Sequence, residues 1–182
     1  MSNRMVLDIA ISRVWAQPSA HTFTIDPIAQ LLVEHVHDRT RWLDPFAGFH
    51  SILPVDRQND LNPETPAMDH EDALDWLKRQ QTEEYDGVLY DPPYSLRQAA
   101  EVYKSFGVSQ HQVTNMGYWA QCRDEAARVV KPGGRAICFG WNSGGLGNSR
   151  LFQLERILMV PHGGARNDTL VTVERKKGGR LL

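Results

Sequence analysis

The 182-residue chain has only two cysteines, Cys122 and Cys138, too few for a disulfide framework or a four-thiolate zinc site. Both fall in regular-looking segments, so redox chemistry is not expected. No window reaches the roughly 18 uninterrupted apolar residues that a membrane-crossing helix requires. The apolar stretch at the start is broken by Asp8, Arg13 and Gln17, which disqualifies it as a secretory signal. The expectation is a cytoplasmic protein without a membrane. Seven histidines are present, but His35 and His37 lie two apart, off a common helix face, and the others lack ligand spacing. No metal is expected. Repeats, low-complexity runs and linkers are also missing, which leaves residues 56–70 as the one long irregular stretch.

What is present supports one domain, residues 1–182, with a real core: 41% of residues are apolar and 23% charged. The net charge of −2 hides an asymmetry. Residues 55–91 hold eleven acidic against three basic side chains, whereas residues 121–182 hold eleven basic against five acidic. An acidic middle suits a cationic or hydroxyl-rich cofactor, and a basic final third suits a polyanion such as nucleic acid.

Periodicity predicts helices over 29–36, 72–81, 96–106 and 117–130, strands over 41–46 and 135–141, and within 85–94 a strand of Val88, Leu89 and Tyr90 running into a turn fixed by two prolines. Strands 152–160 and 169–176 alternate in polarity and flank a turn-rich segment, the pattern of an antiparallel hairpin. Strands alternating with helices and ending in a hairpin imply an α/β fold, an open and mostly parallel sheet with an antiparallel strand near its edge. Ligands in such sheets gather at the carboxyl ends of the strands. Those ends are residues 44–51, the Asp60 region, residues 91–94, residues 141–148 and the hairpin loop 161–168, which is also where Gly, Pro, Asn and Asp concentrate.

Asp91-Pro92-Pro93-Tyr94 ends the strand that contains Val88, Leu89 and Tyr90. It resembles the catalytic DPPY signature of the S-adenosylmethionine-dependent amino-methyltransferases, which methylate the exocyclic amine of adenine or cytosine, and its form is closest to the adenine-N6 branch. The residue types suit that chemistry. An exocyclic amine is a poor nucleophile because its lone pair is delocalised into the ring. Two acceptors, the Asp91 carboxylate and the Pro92 carbonyl, would draw its N–H bonds and direct the lone pair outward. The prolines restrict the backbone and contribute no competing N–H. A carboxylate also steadies the transient positive charge on nitrogen, and Tyr94 offers a flat face to a base taken out of its stack. These four are the candidate catalytic residues.

The same resemblance extends over residues 21–176 and implies a class I methyltransferase Rossmann-like fold with S-adenosylmethionine as cofactor and S-adenosylhomocysteine as product. Asp44-Pro45-Phe46-Ala47-Gly48 resembles the family's cofactor loop, although Phe49-His50-Ser51 replaces its second small residue. Asp60 and Leu61 match the positions that take the ribose hydroxyls and pack on the adenine. Asp72 and Ala73 match the adenine-amine contact, with an ordinary helix start as the alternative for Asp72. Phe23 and Thr24 match the N-terminal segment that closes over the cofactor's carboxylate, and Asp91 borders the cofactor as well. Asp26 reads as the cap of the following helix, with Pro27 at its first position. Lys131-Pro132-Gly133-Gly134 reads as a turn required by topology.

No segment is long enough for a separate target-recognition domain, so this resembles a small form of the family. Substrate contact is expected from short loops or from a second chain, which makes a homodimer admissible. Trp141, Asn142, His162 and Arg166 are the candidate substrate residues beside Tyr94, with Arg166 and then Arg150 expected to meet phosphate. The expected partner is nucleic acid, foremost DNA. Cytosine N4, adenine in RNA and a glutamine amide are alternative substrates. A non-catalytic partner subunit that only binds nucleic acid or cofactor is the alternative of another class.

Overall fold

The computed structural model describes residues 8–49, 53–93, 100, 104, 116–164 and 166–178. In chain order they form β1 (Ala10–Arg13), a 3-10 turn (Thr22–Thr24), α1 (Asp26–His35), β2 (Trp42–Asp44), β3 (Arg57–Gln58) and α2 (Ala73–Arg79). Then come β4 (Tyr85–Tyr90), α3 (Met116–Val129), β5 (Val130–Gly140), a second 3-10 turn (Asn148–Arg150), β6 (Phe152–Val160) and β7 (Thr169–Lys176). The expected helix over 96–106 falls almost wholly outside the described residues.

The strands form one sheet in the order β1-β6-β7-β5-β4-β2-β3. β7 runs antiparallel to both its neighbours, β5 and β6, and the other described pairs are parallel. The mostly parallel sheet and the β6–β7 hairpin therefore match the expectation. Alternation along the central strands sends Val88, Tyr90, Ala136 and Cys138 to a core with α2 and α3, built on Trp76, Leu77, Trp119 and Cys122. Leu89, Ile137 and Phe139 point the other way and pack with Ile28, Leu31 and Leu32 of α1. A parallel sheet covered on both faces needs such strands, apolar on each side. Trp42 pairs with Gly87 across β2 and β4. A Cβ at Gly87 would lie 2.5 Å from the Trp42 ring, so only glycine admits the indole there.

Three local features depart from the sequence reading. β1 is an additional edge strand, parallel to β6. The Lys131-Pro132-Gly133-Gly134 turn lies inside β5: Tyr85 pairs with Val130 and Gly87 with Arg135, so the intervening residues bulge out while pairing resumes behind them. Asp26 lies within the first turn of α1, and the cap is Ile25, which contributes no side-chain bond. The helix start is therefore carried by Pro27, whose missing N–H is harmless there. α3 ends against a buried cation. Lys176 Nζ donates to the carbonyls of Ala127 (3.0 Å) and Val130 (2.7 Å), pinning the helix C-terminus to β7. Among the described residues no helix is long and apolar enough to cross a membrane.

Candidate functional site

Asp44 is fully buried at the end of β2, and its carboxylate accepts the Phe46 N–H at 3.3 Å, which turns the chain over the strand end. The loop is closed from the next strand. Asp60 Oδ2 accepts the Gly48 N–H (2.8 Å) and its Oδ1 accepts the Asn62 N–H (2.8 Å), so one carboxylate shapes two loops. Gly48 takes the left-handed conformation this approach demands, at φ 60°. Beneath them Asn59, fully buried, donates to the carbonyls of Pro45 (3.3 Å) and Glu71 (3.1 Å) and accepts the Glu71 N–H (3.0 Å). Its amide thus ties the loops after β2, β3 and before α2 into one body.

The third loop leads into α2 through Asp72, whose Oδ1 caps the helix by accepting from Leu74 (3.0 Å) and Asp75 (3.2 Å). Its other oxygen accepts the Tyr118 hydroxyl of α3 at 2.7 Å. Asp69 accepts the Trp76 indole N–H (2.8 Å) and pairs with Arg57 (2.6 Å). First the indole bond, then that guanidinium, hold its carboxyl below the usual range.

These loops enclose a cavity of about 410 Å³, within the range of small-molecule sites. Pro45, Phe46, Asn59, Asp60, Leu61, Glu71 and Ala73 line one side. Asp91, Pro92 and Pro93 at the end of β4 line it as well, and Ser19, Ala20 and Thr22 of the N-terminal segment close it. Phe46 rests edge-on against Tyr90, with ring centroids 5.5 Å apart. A smaller pocket of about 90 Å³ is formed by Phe23, Phe46, Ala47, Gly48 and Asp91 with their neighbours.

The structure thus brings Pro45, Phe46, Ala47, Gly48, Asp60, Leu61, Ala73 and Phe23 together with Asp91, Pro92 and Pro93. Asp44 lies under the loop and Asp72 at the helix start, and neither lines a cavity. Thr24 borders a separate groove and donates to the His21 carbonyl at 2.8 Å. Tyr94 lies outside the described residues. Asn59, Glu71 and the residues 19–22 strap are the parts that sequence reasoning gave no role or only a vague one.

The candidate substrate residues lie on the same sheet edge, outside both cavities. Residues 141–148 are anchored by Glu174 of β7, 2% exposed, which accepts the N–H groups of Leu146 (2.6 Å) and Gly147 (3.1 Å). A Cβ at Gly145 would overlap that carboxylate. Burial pushes the Glu174 carboxyl above its usual range. Trp141 and Asn142 remain exposed, the latter folding the loop through the Gly144 N–H at 2.9 Å. His162 Nδ1 sits 3.0 Å from the Ala16 carbonyl and Nε2 sits 2.9 Å from the Thr169 hydroxyl. The carbonyl requires Nδ1 to donate, so a neutral ring accepts from Thr169, and His162 ties the hairpin to the N-terminal segment. Arg150 is engaged by Asp124 (2.6 Å) and by the carbonyls of Leu146 and Ala120. Arg166 is exposed on the hairpin loop. Both thiols are buried, Cys122 pushed up to about 12 by burial, which removes them from nucleophilic chemistry at neutral pH. No group of ligating side chains suited to a metal occurs among the described residues.

No protein-family model matches the chain, and no curated protein matches it in sequence. Solved structures do match. The 1,6-didemethyltoxoflavin-N1-methyltransferase of Burkholderia thailandensis, determined with S-adenosylhomocysteine, superposes at TM-score 0.55 over 84% of this chain and 76% of its own, at 15% identity. The N-methyltransferase NodS of Bradyrhizobium japonicum gives 0.54 over 84% and 94% at 12% identity. TrmN of Thermus thermophilus gives 0.52 at 18% identity. This chain covers 84% of itself in that match and spans about half, 49%, of the Thermus protein. The fold is the class I methyltransferase Rossmann-like fold.

Proposed function

We propose that the chain is an S-adenosylmethionine-dependent methyltransferase acting on the exocyclic amine of a nucleobase, adenine N6 in DNA before others. The observation that carries the reading is one shared cavity: Asp91, Pro92 and Pro93 line the same space as Phe46, Asp60 and Leu61. Residues suited to an amine and residues suited to a nucleoside cofactor therefore meet. The neighbour determined with S-adenosylhomocysteine supports the cofactor. The donor set fits it too. Asp60 lines the cavity and its oxygens keep lone pairs for ribose hydroxyls beyond those given to Gly48 and Asn62. Leu61 and Phe46 supply apolar contact for a purine, and Ala73 leaves room beside it.

When bound, S-adenosylmethionine supplies a methyl group already activated by its sulfonium charge. The remaining work belongs to the chain. Asp91 accepts one N–H of the amine and the Pro92 carbonyl accepts the other, which localises the nitrogen lone pair outward. The Asp91 charge stabilises the cationic nitrogen as the bond forms. Solvent then removes the proton, and no strong base is needed.

The test incubates purified protein with methyl-labelled cofactor and separate DNA, RNA and protein pools, then digests the labelled pool. Label in N6-methyldeoxyadenosine is expected. Label in N4-methyldeoxycytidine, in RNA or in a glutamine amide would replace the adenine assignment with that alternative, and no transfer to any pool would favour a binding subunit.

A further inference from the structure

A third open groove, about 630 Å³, runs along the N-terminal strap, with residues 14–19 on one side and Thr24, Asp26, Pro27 and Gln30 on the other. Ser19 lines both this groove and the 410 Å³ cavity, so the two adjoin at the strap. Trp15, 57% exposed, is one of the lining residues. The residues on either side of Trp15 are held firmly. Val14 N–H donates to the Met159 carbonyl (3.0 Å), Ala16 N–H donates to the Pro161 carbonyl (3.2 Å), and the Ala16 carbonyl is engaged by His162. The indole itself faces the hairpin turn, where a Cβ at Gly163 would lie 3.5 Å from its Nε1.

Three aromatic rings are exposed among the described residues, Trp15, Phe49 and Trp141. Each follows the carboxyl end of a strand, respectively β1, β2 and β5. An exposed indole whose flanking backbone is hydrogen-bonded in place, in a groove that adjoins the cavity, offers a flat face to a planar partner. Two cations stand near it: Arg13 at the end of β1 and Arg166 on the hairpin loop are both exposed, and neither makes an ion pair with a described residue.

We propose that Trp15 is a stacking platform for an unstacked base of single-stranded nucleic acid, on a strand that runs from this groove past Ser19 into the cavity of Asp91. The proposal rests on the nucleobase reading above and adds the form of the polymer. An indole face accepts any base, because every base has a π-face. Bases within a duplex are already stacked on one another and cannot lie on it. Asp26 inside the groove repels phosphate, whereas Arg13 and Arg166 attract it. The base therefore occupies the groove while the backbone follows the arginines.

The experiment measures anisotropy of a fluorescein-labelled adenine-containing DNA 12-mer, single-stranded and as its duplex, with wild type, Trp15→Ala and Trp15→Phe. Calorimetry with S-adenosylhomocysteine runs in parallel. Expected is tighter binding of the single strand, a loss of about tenfold for Trp15→Ala on that strand alone, near-retention by Trp15→Phe, and unchanged cofactor-product binding. In wild type, photocross-linking of a 5-bromouracil-substituted strand should label the peptide containing Trp15, an outcome independent of how the variants fold. Equal affinity for both forms, an unaffected Trp15→Ala, or cross-links confined to other peptides would overturn the platform while leaving base methylation standing. Absence of binding to either DNA form, with cofactor product still bound, would overturn the polymer reading itself.

Discussion

The two halves of the sheet's carboxyl edge are built differently. On the β2–β3 side, Asp44, Asn59, Asp60 and Asp72 all direct their side chains at backbone groups, and three loops become one rigid wall. On the β5–β6 side Glu174 and Arg150 anchor the loop at residues 146–147 and His162 anchors the hairpin, while Trp141, Asn142 and Arg166 are exposed. A half whose polar side chains are spent on its own backbone is preformed for one ligand of fixed shape. A half anchored at the base and open at the tip meets a larger and more variable partner. Substitutions in the first half should therefore disturb cofactor binding and stability, whereas those at the open tips of the second should disturb the acceptor alone.

Asp91 stands at the boundary and should give the largest effect. Asp91→Ala is expected to lower single-turnover methyl transfer by at least about a hundredfold, since it removes a charge placed where charge develops. Binding of S-adenosylhomocysteine should fall far less. Near-normal turnover would remove Asp91 from the chemistry and dissolve the boundary itself.

Asn59→Ala tests whether the first half is one body. It would leave the Glu71 N–H and the carbonyls of Pro45 and Glu71 without their buried partner, at roughly 1–3 kcal/mol for a group so stranded. The urea midpoint should fall, and cofactor-product affinity should fall with it, although the Asn59 amide is taken up by backbone groups. A stable variant with intact affinity would mean that the three loops hold their positions separately.

The sequence displayed the chemistry more clearly than its supports. Asp44-Pro45 and Asp91-Pro92-Pro93 are legible because a strand end followed by proline is a local signal, and Pro45 with Asp91, Pro92 and Pro93 lines the cavity. Asn59 carries no local signal, because its partners, Pro45 and Glu71, are set by tertiary pairing. β1 was missed because four mostly exposed edge residues carry no alternation and pair with a strand more than 140 positions away. At Asp72 the helix start offered as the alternative is formed. A carboxylate at a helix start finds two N–H donors at once, and Tyr118, which takes its second oxygen, arrives from a distant helix. The pairing of Arg150 is equally non-local, its partner Asp124 being brought in by α3.

Glu174 offers a smaller test, confined to the second half. Burial raises its carboxyl above the ordinary 4.5, so the folded state holds that proton more tightly than the unfolded chain. The resulting contribution to stability is complete below the ordinary value and is lost as pH rises through the raised one. Glu174→Gln is neutral throughout and lacks this dependence. It also carries a pH-independent penalty, because one amide oxygen must serve two N–H donors. Plotted from about pH 4 to about pH 8, the wild-type advantage in urea midpoint should shrink, while cofactor-product affinity stays constant. Parallel curves would mean that Glu174 is not raised by burial.

The smallest effect concerns the open half alone. Of the eleven cations in residues 121–182, Arg128, Lys131, Arg135, Arg150, Arg156, Arg175 and Lys176 are in ion pairs, so the basic final third is mostly neutralised within the fold. Arg166 keeps its charge on the hairpin loop of the carboxyl edge. If it meets a phosphate, DNA affinity should fall with salt because bound counterions are released. Arg166→Ala should then lower the log–log slope by about one unit and weaken binding evenly across sequences. Cofactor-product affinity should not move, because the first half is untouched. Affinity for an adenine-containing oligonucleotide across a salt series, for wild type and variant, reads both quantities. A wild-type slope near zero would mean that the open half receives something other than a polyanion, and would promote the amide-methylating alternative over the nucleic-acid reading.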